Sequence, residues 1–225
     1  MDKYAIVIAG PSGAGKTTIA DRLIEKLGTL EMSCSATTRA KRGDGRDDEY
    51  VYLTVEEFKQ SIENGDVLEY TEYSENFYGT RKSELQRIWD MDKNPILVLD
   101  YNGVRSLKDR LDIPVFAFYV YTSLDEAKRR LIERDLKIDA SAKKTEVLLK
   151  RLKANICDYD VLHTMAGIFD GYVENSEVET CVEKIESALE LLTRGEEVMK
   201  DFEKEEITKK FKKESADFAA KATVL

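Results

Sequence analysis

The 225-residue chain is 42% hydrophobic and 35% charged, a length and composition that suit one globular domain with a sizeable core. No apolar run approaches the roughly 20 residues of a membrane span, and we expect neither membrane association nor a signal peptide. The net charge of −9 argues against a nucleic-acid surface, because a polyanion needs a basic face on its partner.

The first predicted strand covers Tyr4–Ala9, and the sequence GPSGAGKT follows it from Gly10 to Thr17. This sequence matches the phosphate-binding pattern G-x-x-x-x-G-K-[ST]. Beyond it, apolar residues recur every four positions from Ile19 to Leu27, which predicts a helix packed on the strand. Glycines allow the backbone N–H groups and the helix N-terminus to converge on phosphate oxygens. The pattern therefore predicts a site for a nucleoside triphosphate.

Within this loop, Lys16 is expected to bridge the β- and γ-phosphates, and the Thr17 hydroxyl is expected to ligate Mg²⁺. The alternative is a glycine-rich turn with a helix cap at Thr17, and the full motif between a strand and a helix disfavours it. The residues expected to bind the triphosphate are Gly10, Pro11, Ser12, Gly13, Ala14, Gly15, Lys16, Thr17 and Thr18.

Strands and helices then alternate along the chain. A short extended piece is expected at 31–38, before a basic loop at 39–46, and the further predicted strands cover 49–53, 67–73, 96–99, 114–121 and 171–174. The further predicted helices cover 55–63, 80–91 with Thr80 as the cap, 103–111, 123–134 with Ser123 as the cap, 142–159 and 177–192. Core strands that alternate with helices imply an α/β fold with a parallel sheet covered on both faces. Two insertions interrupt the pattern, a mixed polar one at 33–90 and a basic helical one at 125–158.

A second polar cluster begins at Ser35 in the sequence SATTRAKR and is followed by Tyr50. Arg39 and Arg42 lie close enough in sequence to bind one phosphate together, and the Tyr50 hydroxyl adds a donor. A solvated basic loop would explain this cluster equally well.

Glu69 and the sequence FYGT, which ends at Thr80, favour a binding site over a solvated loop. A carboxylate in a site can accept two parallel hydrogen bonds from N1–H and N2–H₂ of guanine, whereas adenine presents an unprotonated N1 that a carboxylate repels. The hydroxyls of Ser35 and Thr80 are then available to other polar atoms of the base, above all O6. These residues together predict a guanine site.

The motifs resemble those of the guanylate kinase family, one of the families of nucleoside monophosphate kinases. The resemblance runs from Tyr4 to about Leu192 and rests on the order and spacing of several motifs. They are GPSGAGKTT, SATTR, YVY at 50–52, LEY at 68–70, FYGT at 77–80, LDYNGV at 99–104, RRLIER at 129–134, KRL at 150–152 and VEN at 173–175.

The resemblance implies in-line transfer of the γ-phosphoryl group of ATP, bound with Mg²⁺, to GMP or dGMP. It also implies that Asp100 contacts GMP or a magnesium-bound water and that Asn175 lies beside adenine. The residues implied for the GMP phosphate are Arg39, Arg42, Tyr50 and Tyr78, and those implied for guanine are Ser35, Glu69 and Thr80. The residues implied in catalysis are Lys16, Arg39, Arg130, Arg134 and Arg151, of which the last three match arginines of a mobile lid.

The resemblance further divides the chain into a P-loop core, a GMP-binding subdomain, a lid and an extension. The core is 1–32, 91–124 and 159–193, the subdomain is 33–90, the lid is 125–158, and the helical C-terminal extension is 194–225. Independently of the family, Arg130 and Arg134 are four residues apart and share one helix face. For the neighbouring Arg129 we expect plain solvation.

The sequence departs from the family pattern at three places. The loop between Arg42 and Tyr50 is one residue shorter and offers Asp44 in place of a glutamate. Asn102 replaces a glutamine, and the sequence at 121–123 is Tyr-Thr-Ser instead of Pro-Pro-Ser. None of these changes removes a phosphate-binding group.

The cysteines and the single histidine carry little functional signal. Cys34, Cys157 and Cys181 have neither disulfide nor zinc spacing, which favours reduced thiols and a cytoplasmic location. Because His163 is the only histidine, a histidine-dependent triad is nearly excluded, and we expect this residue on a loop or helix end.

Beyond about Thr193 the chain is helix-prone, and its apolar residues fall on two roughly opposite faces. Val198 and Phe202 share one face, and Ile207 and Phe211 lie on the other. We expect a pair of amphipathic helices packed on the core, or a partly frayed end. A dimerising helix is the alternative, so the chain is expected to be a monomer or a homodimer.

Other functions share parts of this pattern. Guanylate-kinase-like domains of scaffold proteins bind peptides, but they characteristically have a degraded phosphate loop, whereas Gly15, Lys16 and Thr17 are intact here. A related kinase for another small phosphorylated substrate is disfavoured by Glu69 together with Thr80. A regulatory GTPase is disfavoured because the sequence has no Asn-Lys-x-Asp motif.

Overall fold

The computed structural model describes residues 3–41, 50–73, 75–135 and 142–222. They belong to two compact units, the first of Met1–Val7 and Leu23–Val115 and the second of Ile8–Arg22 and Phe116–Leu225. The strands are β1 (Ala5–Ala9), β2 (Leu30–Met32), β3 (Ser35–Thr37), β4 (Tyr50–Tyr52), β5 (Val67–Tyr73), β6 (Asn76–Arg81), β7 (Asn94–Val98), β8 (Val115–Tyr121) and β9 (Gly171–Glu174). The helices are α1 (Lys16–Leu27), α2 (Val55–Glu63), α3 (Lys82–Trp89), α4 (Tyr101–Arg110), α5 (Leu124–Asp135), α6 (Ala142–Val161), α7 (Val178–Thr193) and α8 (Asp201–Ala222).

Five strands form a parallel sheet in the order β2-β7-β1-β8-β9, which confirms the α/β class predicted from the sequence. In this sheet β2 pairs with β7 from Leu30 opposite Asn94, and β8 pairs with β9 from Phe118 opposite Gly171. All five residues of β1 are fully buried, as expected for a strand with helices over both faces of its sheet.

In the first unit, a second sheet has the strand order β4-β3-β6-β5. Strands β5 and β6 pair antiparallel, and their register places Glu69 opposite Thr80. Beneath the sheet, Phe58 of α2 packs with Ala36 and Val67 in a small core. Helix α2 covers the predicted range and begins with a capping box made by Thr54 and Glu57, in which each side chain binds the other residue's backbone N–H.

The prediction that Thr80 caps the following helix is wrong. Thr80 lies in β6, a strand not predicted from the sequence, and α3 begins at Lys82 after Arg81, whose side chain makes no capping hydrogen bond. The hydroxyl of Thr80 binds Glu69 across the sheet instead. Cross-strand pairing has therefore overridden the local preference of threonine for a helix cap.

In the second unit, α5 and α6 pack together through Leu131, Leu148 and Leu152. The C-terminal residues form one long helix, α8, instead of the expected pair of helices. This helix contacts α5, α6 and β9, and its Phe211 is only 3% exposed. The expectation that the tail packs on its own core is thereby confirmed, whereas Phe202, near the start of α8, is 64% exposed.

The structure also places the predicted helix cap Ser123, the histidine and the cysteines. Ser123 caps α5 as predicted, because its Oγ accepts from the Glu126 N–H at 3.2 Å. His163 is exposed in a short 3-10 turn, Leu162–Thr164, that follows α6. Cys34, Cys157 and Cys181, all within the described residues, form no disulfide. In the described part of the chain, no helix combines the length and apolar character needed to cross a membrane.

Candidate active site

The phosphate loop between β1 and α1 needs glycine for two physical reasons. At Gly10 the φ angle is +144°, and a Cβ atom there would lie 1.9 Å from the backbone oxygen of Val120. At Gly15 the φ angle is +88°, and a Cβ atom would lie 2.5 Å from Nδ2 of Asn175. Both positions therefore combine a backbone conformation that other residues rarely adopt with a close approach by a neighbouring chain segment.

Lys16, the first residue of α1, folds back over this loop. Its Nζ donates hydrogen bonds to the backbone oxygens of Gly10 at 2.8 Å and Pro11 at 3.0 Å. Burial lowers the pKa of Lys16 to about 8, the carboxylate of Asp158 opposes that shift, and the charge of Arg134 adds to it. Because a buried ammonium needs compensating charge, this environment favours an anion beside Lys16.

A cavity of about 360 Å³ opens beside the loop. Four cationic side chains face it, and the side chains of Thr17 and Thr18 line it from the first turn of α1. The cationic lining residues are Lys16, Arg130, Arg134 and Arg151. The structure thus brings together Lys16 and the three predicted lid arginines, four of the five residues implied in catalysis, along with Ser12, Gly13 and Gly15 of the loop.

Arg130 is held in place by two partners in the second unit, one on its own helix α5 and one directly after β9. Its Nε donates to Glu126 Oε1 at 2.7 Å, and its Nη2 donates to the backbone oxygen of Asn175 at 3.0 Å. Hydrogen bonds from Arg129 and Arg130 lower the pKa of Glu126 to about 2, so this carboxylate is ionised at neutral pH. Arg129 itself is half-exposed and paired with Glu126 and Glu133, which agrees with the solvated surface position expected for it.

Asn175 lies behind the loop, and the cavity lining does not include it. Its Nδ2 donates to the backbone oxygen of Ala14 at 2.7 Å, and its buried Oδ1 has no hydrogen-bond partner among the described residues. Contact with adenine, which the family resemblance implies for Asn175, stays a prediction. The geometry shows that Asn175, which directly follows β9, supports the loop by this hydrogen bond.

Asn155 is a supporting residue that was not predicted from the sequence. Its Oδ1 accepts from the Ser12 N–H at 2.8 Å, and its Nδ2 donates to the Ser12 backbone oxygen at 2.9 Å. The side chain is 1% exposed. A buried asparagine inside a basic helix is the signal that could have identified it, because a buried amide requires partners.

The first unit contains a second cavity, of about 210 Å³. Most of the residues predicted for GMP line it, and so do Thr71, Gly79, Val98 and Leu99, which were not predicted as site residues. The predicted residues on its wall are Ser35, Tyr50, Glu69, Tyr78 and Asp100. Arg42 lies outside the described residues, as does Asp44 in the shortened loop.

Glu69 is the acidic centre of this cavity and is only 8% exposed. The Thr80 hydroxyl donates to its Oε1 at 2.7 Å. Burial raises the pKa of Glu69, the hydrogen bond from Thr80 opposes the shift, and the nearby Asp100 adds to it. Thr80 thus reaches the cavity through Glu69, and a direct contact of Thr80 with a base stays a prediction.

Arg39 is placed beside this cavity by aromatic neighbours. Its guanidinium lies 5.3 Å from the ring centre of Tyr50 and 5.9 Å from that of Tyr52, and its Nη2 donates to the Tyr52 hydroxyl at 3.2 Å. Nη1 is buried and has no hydrogen-bond partner in the described part of the chain. A buried guanidinium nitrogen of this kind is suited to a phosphate oxygen.

Asp100 has a structural role at the end of β7. Its Oδ1 accepts from the Gly103 N–H at 2.8 Å and thereby caps α4. The residue is exposed and lines the cavity, so its other oxygen remains accessible to a ligand. Gly103 also lies close to Glu69, since a Cβ atom on it would be 3.4 Å from Glu69 Oε2.

The sequence of β1, glycine-rich loop and α1, with Lys16 and Thr17 at the loop's end, defines a P-loop nucleotide-binding protein. The family profile described as guanylate kinase matches residues 2–192. A guanylate kinase of Clostridium perfringens is 39% identical over 185 residues, which cover 82% of this chain and 81% of that protein. One of Oceanobacillus iheyensis is 31% identical over 208 residues, covering 92% of both chains.

A crystal structure of guanylate kinase from Anaplasma phagocytophilum superposes with a TM-score of 0.60 at 26% identity, over 84% of this chain and 85% of that one. The profile match and these relatives cover most of the chain. The chain therefore belongs to the guanylate kinase family.

Proposed function

We propose that this chain catalyses the Mg²⁺-dependent transfer of the γ-phosphoryl group of ATP to GMP or dGMP, which gives ADP and GDP or dGDP. ATP:GMP phosphotransfer is the reaction of the family to which the chain belongs. The observation that carries the choice of acceptor is Glu69, a buried carboxylate on the wall of a small cavity. It offers acceptors where guanine has N–H donors and repels the unprotonated N1 of adenine.

The triphosphate of ATP occupies the cationic cavity of the second unit in this proposal. The backbone N–H groups from Gly13 to Thr18 and the N-terminus of α1 bind its phosphate oxygens. Lys16 exchanges its two backbone partners for the β- and γ-phosphates, and Arg130, Arg134 and Arg151 neutralise charge on the transferring group.

Thr17 is the residue that would hold the magnesium ion. Thr17 is exposed on the first turn of α1 and lines the same cavity as Lys16, and a hydroxyl oxygen is a suitable ligand for a hard cation that arrives with phosphates. Magnesium bound with ATP neutralises part of the charge on the β- and γ-phosphates.

GMP occupies the cavity of the first unit. Glu69 binds the N1–H and N2–H₂ edge of guanine, and Ser35 lies on the same wall to serve a further polar atom of the base. The phosphate of GMP binds Arg39, Tyr50 and Tyr78, together with Arg42. No general base is required, because the attacking phosphate oxygen is already anionic, and the protein's contribution is alignment and charge neutralisation.

We further propose the division into a core, a GMP-binding subdomain at 33–90, a lid at 125–158 and an extension at 194–225. The separate cavities and the packing of α5 on α6 support it. A cytoplasmic location and a monomeric or homodimeric state complete the proposal, and neither nucleic acid nor membrane is a partner in it.

A coupled assay of ADP release with GMP, dGMP, AMP, UMP and CMP as acceptors tests this function. We expect turnover with GMP and dGMP. We expect kcat/KM for AMP to be lower by a factor on the order of 10⁴, because a site built to pair donors rejects an analogue that lacks them. ADP release that is absent with GMP and present with another acceptor would assign the chain to a different substrate, and peptide binding without any ADP release would support a scaffold function.

A further inference from the structure

The C-terminal helix α8 lies outside residues 2–192, which match the family profile, yet it packs directly against the helices of the triphosphate cavity. Phe211 lies in the middle of this helix and is 3% exposed. Its ring stacks on Tyr159 of α6, with ring centres 4.6 Å apart, and meets Tyr121 of β8 edge-on at 4.7 Å. Such aromatic contacts stabilise packing beyond the area that they bury.

Tyr159 links this contact to the phosphate loop. Its hydroxyl donates to the backbone oxygen of Thr122 at 2.6 Å. Phe211 therefore holds the ring, and Thr122 holds the hydroxyl. One turn earlier on the same face of α6, Asn155 makes its two hydrogen bonds with Ser12 of the loop. A displacement of α6 at Tyr159 would therefore move the residue that holds Ser12.

Glu214 of α8 makes a second connection, to α5. Its Oε1 accepts from the backbone N–H of Leu124 at 2.6 Å. Leu124 is the first residue of α5, and its N–H is one of the donors that a helix leaves without an intrahelical partner. About two and three turns further along, α5 presents Arg130 and Arg134 to the cavity, so Glu214 helps to fix the start of the helix that carries them.

We propose that α8 is a positioning element for the triphosphate site and that Phe211 and Glu214 are its positioning residues. Phe211 fixes the end of α6 that supports the phosphate loop, and Glu214 fixes the beginning of α5. This inference rests on the proposed function, in which the cavity between these helices and the loop binds ATP. It also gives the C-terminal extension a role within its own chain, where dimerisation was the alternative.

Matched variants on α8 test the proposal. Phe211→Ala and Glu214→Ala are expected to raise KM for ATP by about ten- to a hundredfold, the scale for small misplacements caused at a distance. KM for GMP is expected to change by less than about twofold, because Glu69 and its neighbours belong to the other unit. Glu214→Gln keeps an oxygen acceptor for the Leu124 N–H and should restore KM for ATP to near the wild-type value.

Phe202→Ala is the control for Phe211, since it removes the same side chain from an exposed position on the same helix, and it should leave both KM values unchanged. An unchanged KM for ATP in Phe211→Ala and Glu214→Ala would overturn the proposal. An equal rise in both KM values would also overturn it, because general destabilisation does not distinguish the two substrates. If Phe211→Ala fails to fold, the comparison of Glu214→Ala with Glu214→Gln decides the question.

If the proposed function is wrong, the ADP-release assay gives a different result. Wild-type protein would then release no ADP with GMP, whatever the variants do. In that case isothermal titration with ATP still tests the positioning role, because Phe211→Ala and Glu214→Ala should weaken ATP binding while Phe202→Ala and Glu214→Gln should not. Equal affinity of all four variants for ATP would overturn the positioning role by itself.

Discussion

The Thr80 hydroxyl directs its proton at Glu69 Oε1, 2.7 Å away, so this carboxylate is oriented by the neighbouring strand before any base arrives. Glu69→Gln should therefore weaken the use of GMP far more than the binding of ATP. The amide keeps one acceptor but places an NH₂ group against the donors of guanine, a buried mismatch that costs roughly 1–3 kcal/mol. Measured at 25 °C, kcat/KM for GMP should fall about ten- to a hundredfold, and the Kd for ATP should stay the same. An unchanged kcat/KM for GMP would remove Glu69 from the base site.

The raised pKa of Glu69 predicts an acid limb in the pH profile, which is a decline of kcat/KM for GMP at low pH. Burial raises this pKa, while Thr80 lowers it and Asp100 raises it. Because the folded-state pKa is raised, Glu69 takes up a proton at a higher pH than an ordinary glutamate, and the charge that attracts guanine is lost as the pH falls. We expect kcat/KM for GMP to decline as the pH falls. The decline should begin at a higher pH than for an ordinary glutamate, whose pKa is 4.5.

Two variants should move this limb in opposite directions. Thr80→Val removes a hydrogen bond to the carboxylate and should shift the limb to higher pH, whereas Asp100→Asn removes a like charge and should shift it to lower pH. The ionisation of GMP itself is common to all three proteins, so differences between their profiles report on the site. Coincident profiles would show that a group other than Glu69 controls the limb.

The lowered pKa of Lys16 predicts that kcat/KM for ATP declines at alkaline pH. Its pKa is lowered to about 8, so the ammonium charge is present below that pH and is lost as the pH rises through it. We expect kcat/KM for ATP, which reports on the free enzyme, to fall above about pH 8. Lys16→Ala should reduce kcat by at least about a hundredfold. Lys16→Arg, which stays charged, should lose activity but show no decline near pH 8, and a persisting decline would exclude Lys16 as its cause.

Asn155→Ala is predicted to affect both stability and the use of ATP. It leaves the N–H and the C=O of Ser12 without their side-chain partner, which costs roughly 1–3 kcal/mol when the groups stay buried. Urea unfolding should show this loss, and KM for ATP should rise while KM for GMP does not. The control is Lys153→Ala, at an exposed position on the same helix. Equal behaviour of the two variants would mean that Asn155 does not hold the loop.

Short-range signals account for most of what the sequence predicts correctly. The phosphate loop, the capped helix α2 and the strand β5 each depend on residues adjacent in the chain, such as Gly15 beside Lys16 or Thr54 three residues before Glu57. Periodicity and capping preferences describe local contacts of this kind. For that reason the boundaries of α2 and β5 agree with the structure.

The features that the sequence did not predict depend on distant residues. Thr80 belongs to a strand because Glu69 lies opposite it, and Asn155 supports the phosphate loop 143 residues earlier in the chain. The single helix α8 is favoured by the aromatic cluster around Phe211. No local pattern encodes such pairings, so tertiary packing decides them.

Hydrogen exchange along α6 provides the last test, and it refines the expectation of a mobile lid at 125–158. The part of α6 from 155 to 161 contains Asn155, bound to Ser12, and Tyr159, packed on Phe211. The part from 145 to 151 contains the exposed Leu149, and its Arg151 faces the cavity. Without nucleotide, amides at 145–151 should exchange faster than those at 155–161, since the contacts of Asn155 and Tyr159 hold the later segment. A non-hydrolysable ATP analogue should slow exchange at 145–151 because its phosphates would bind Arg151 at the cavity, whereas GMP alone should not. Amides of α7 serve as the internal reference. Equal and unchanging exchange along the whole helix would mean a rigid, preformed site, and the lid assignment would have to be dropped.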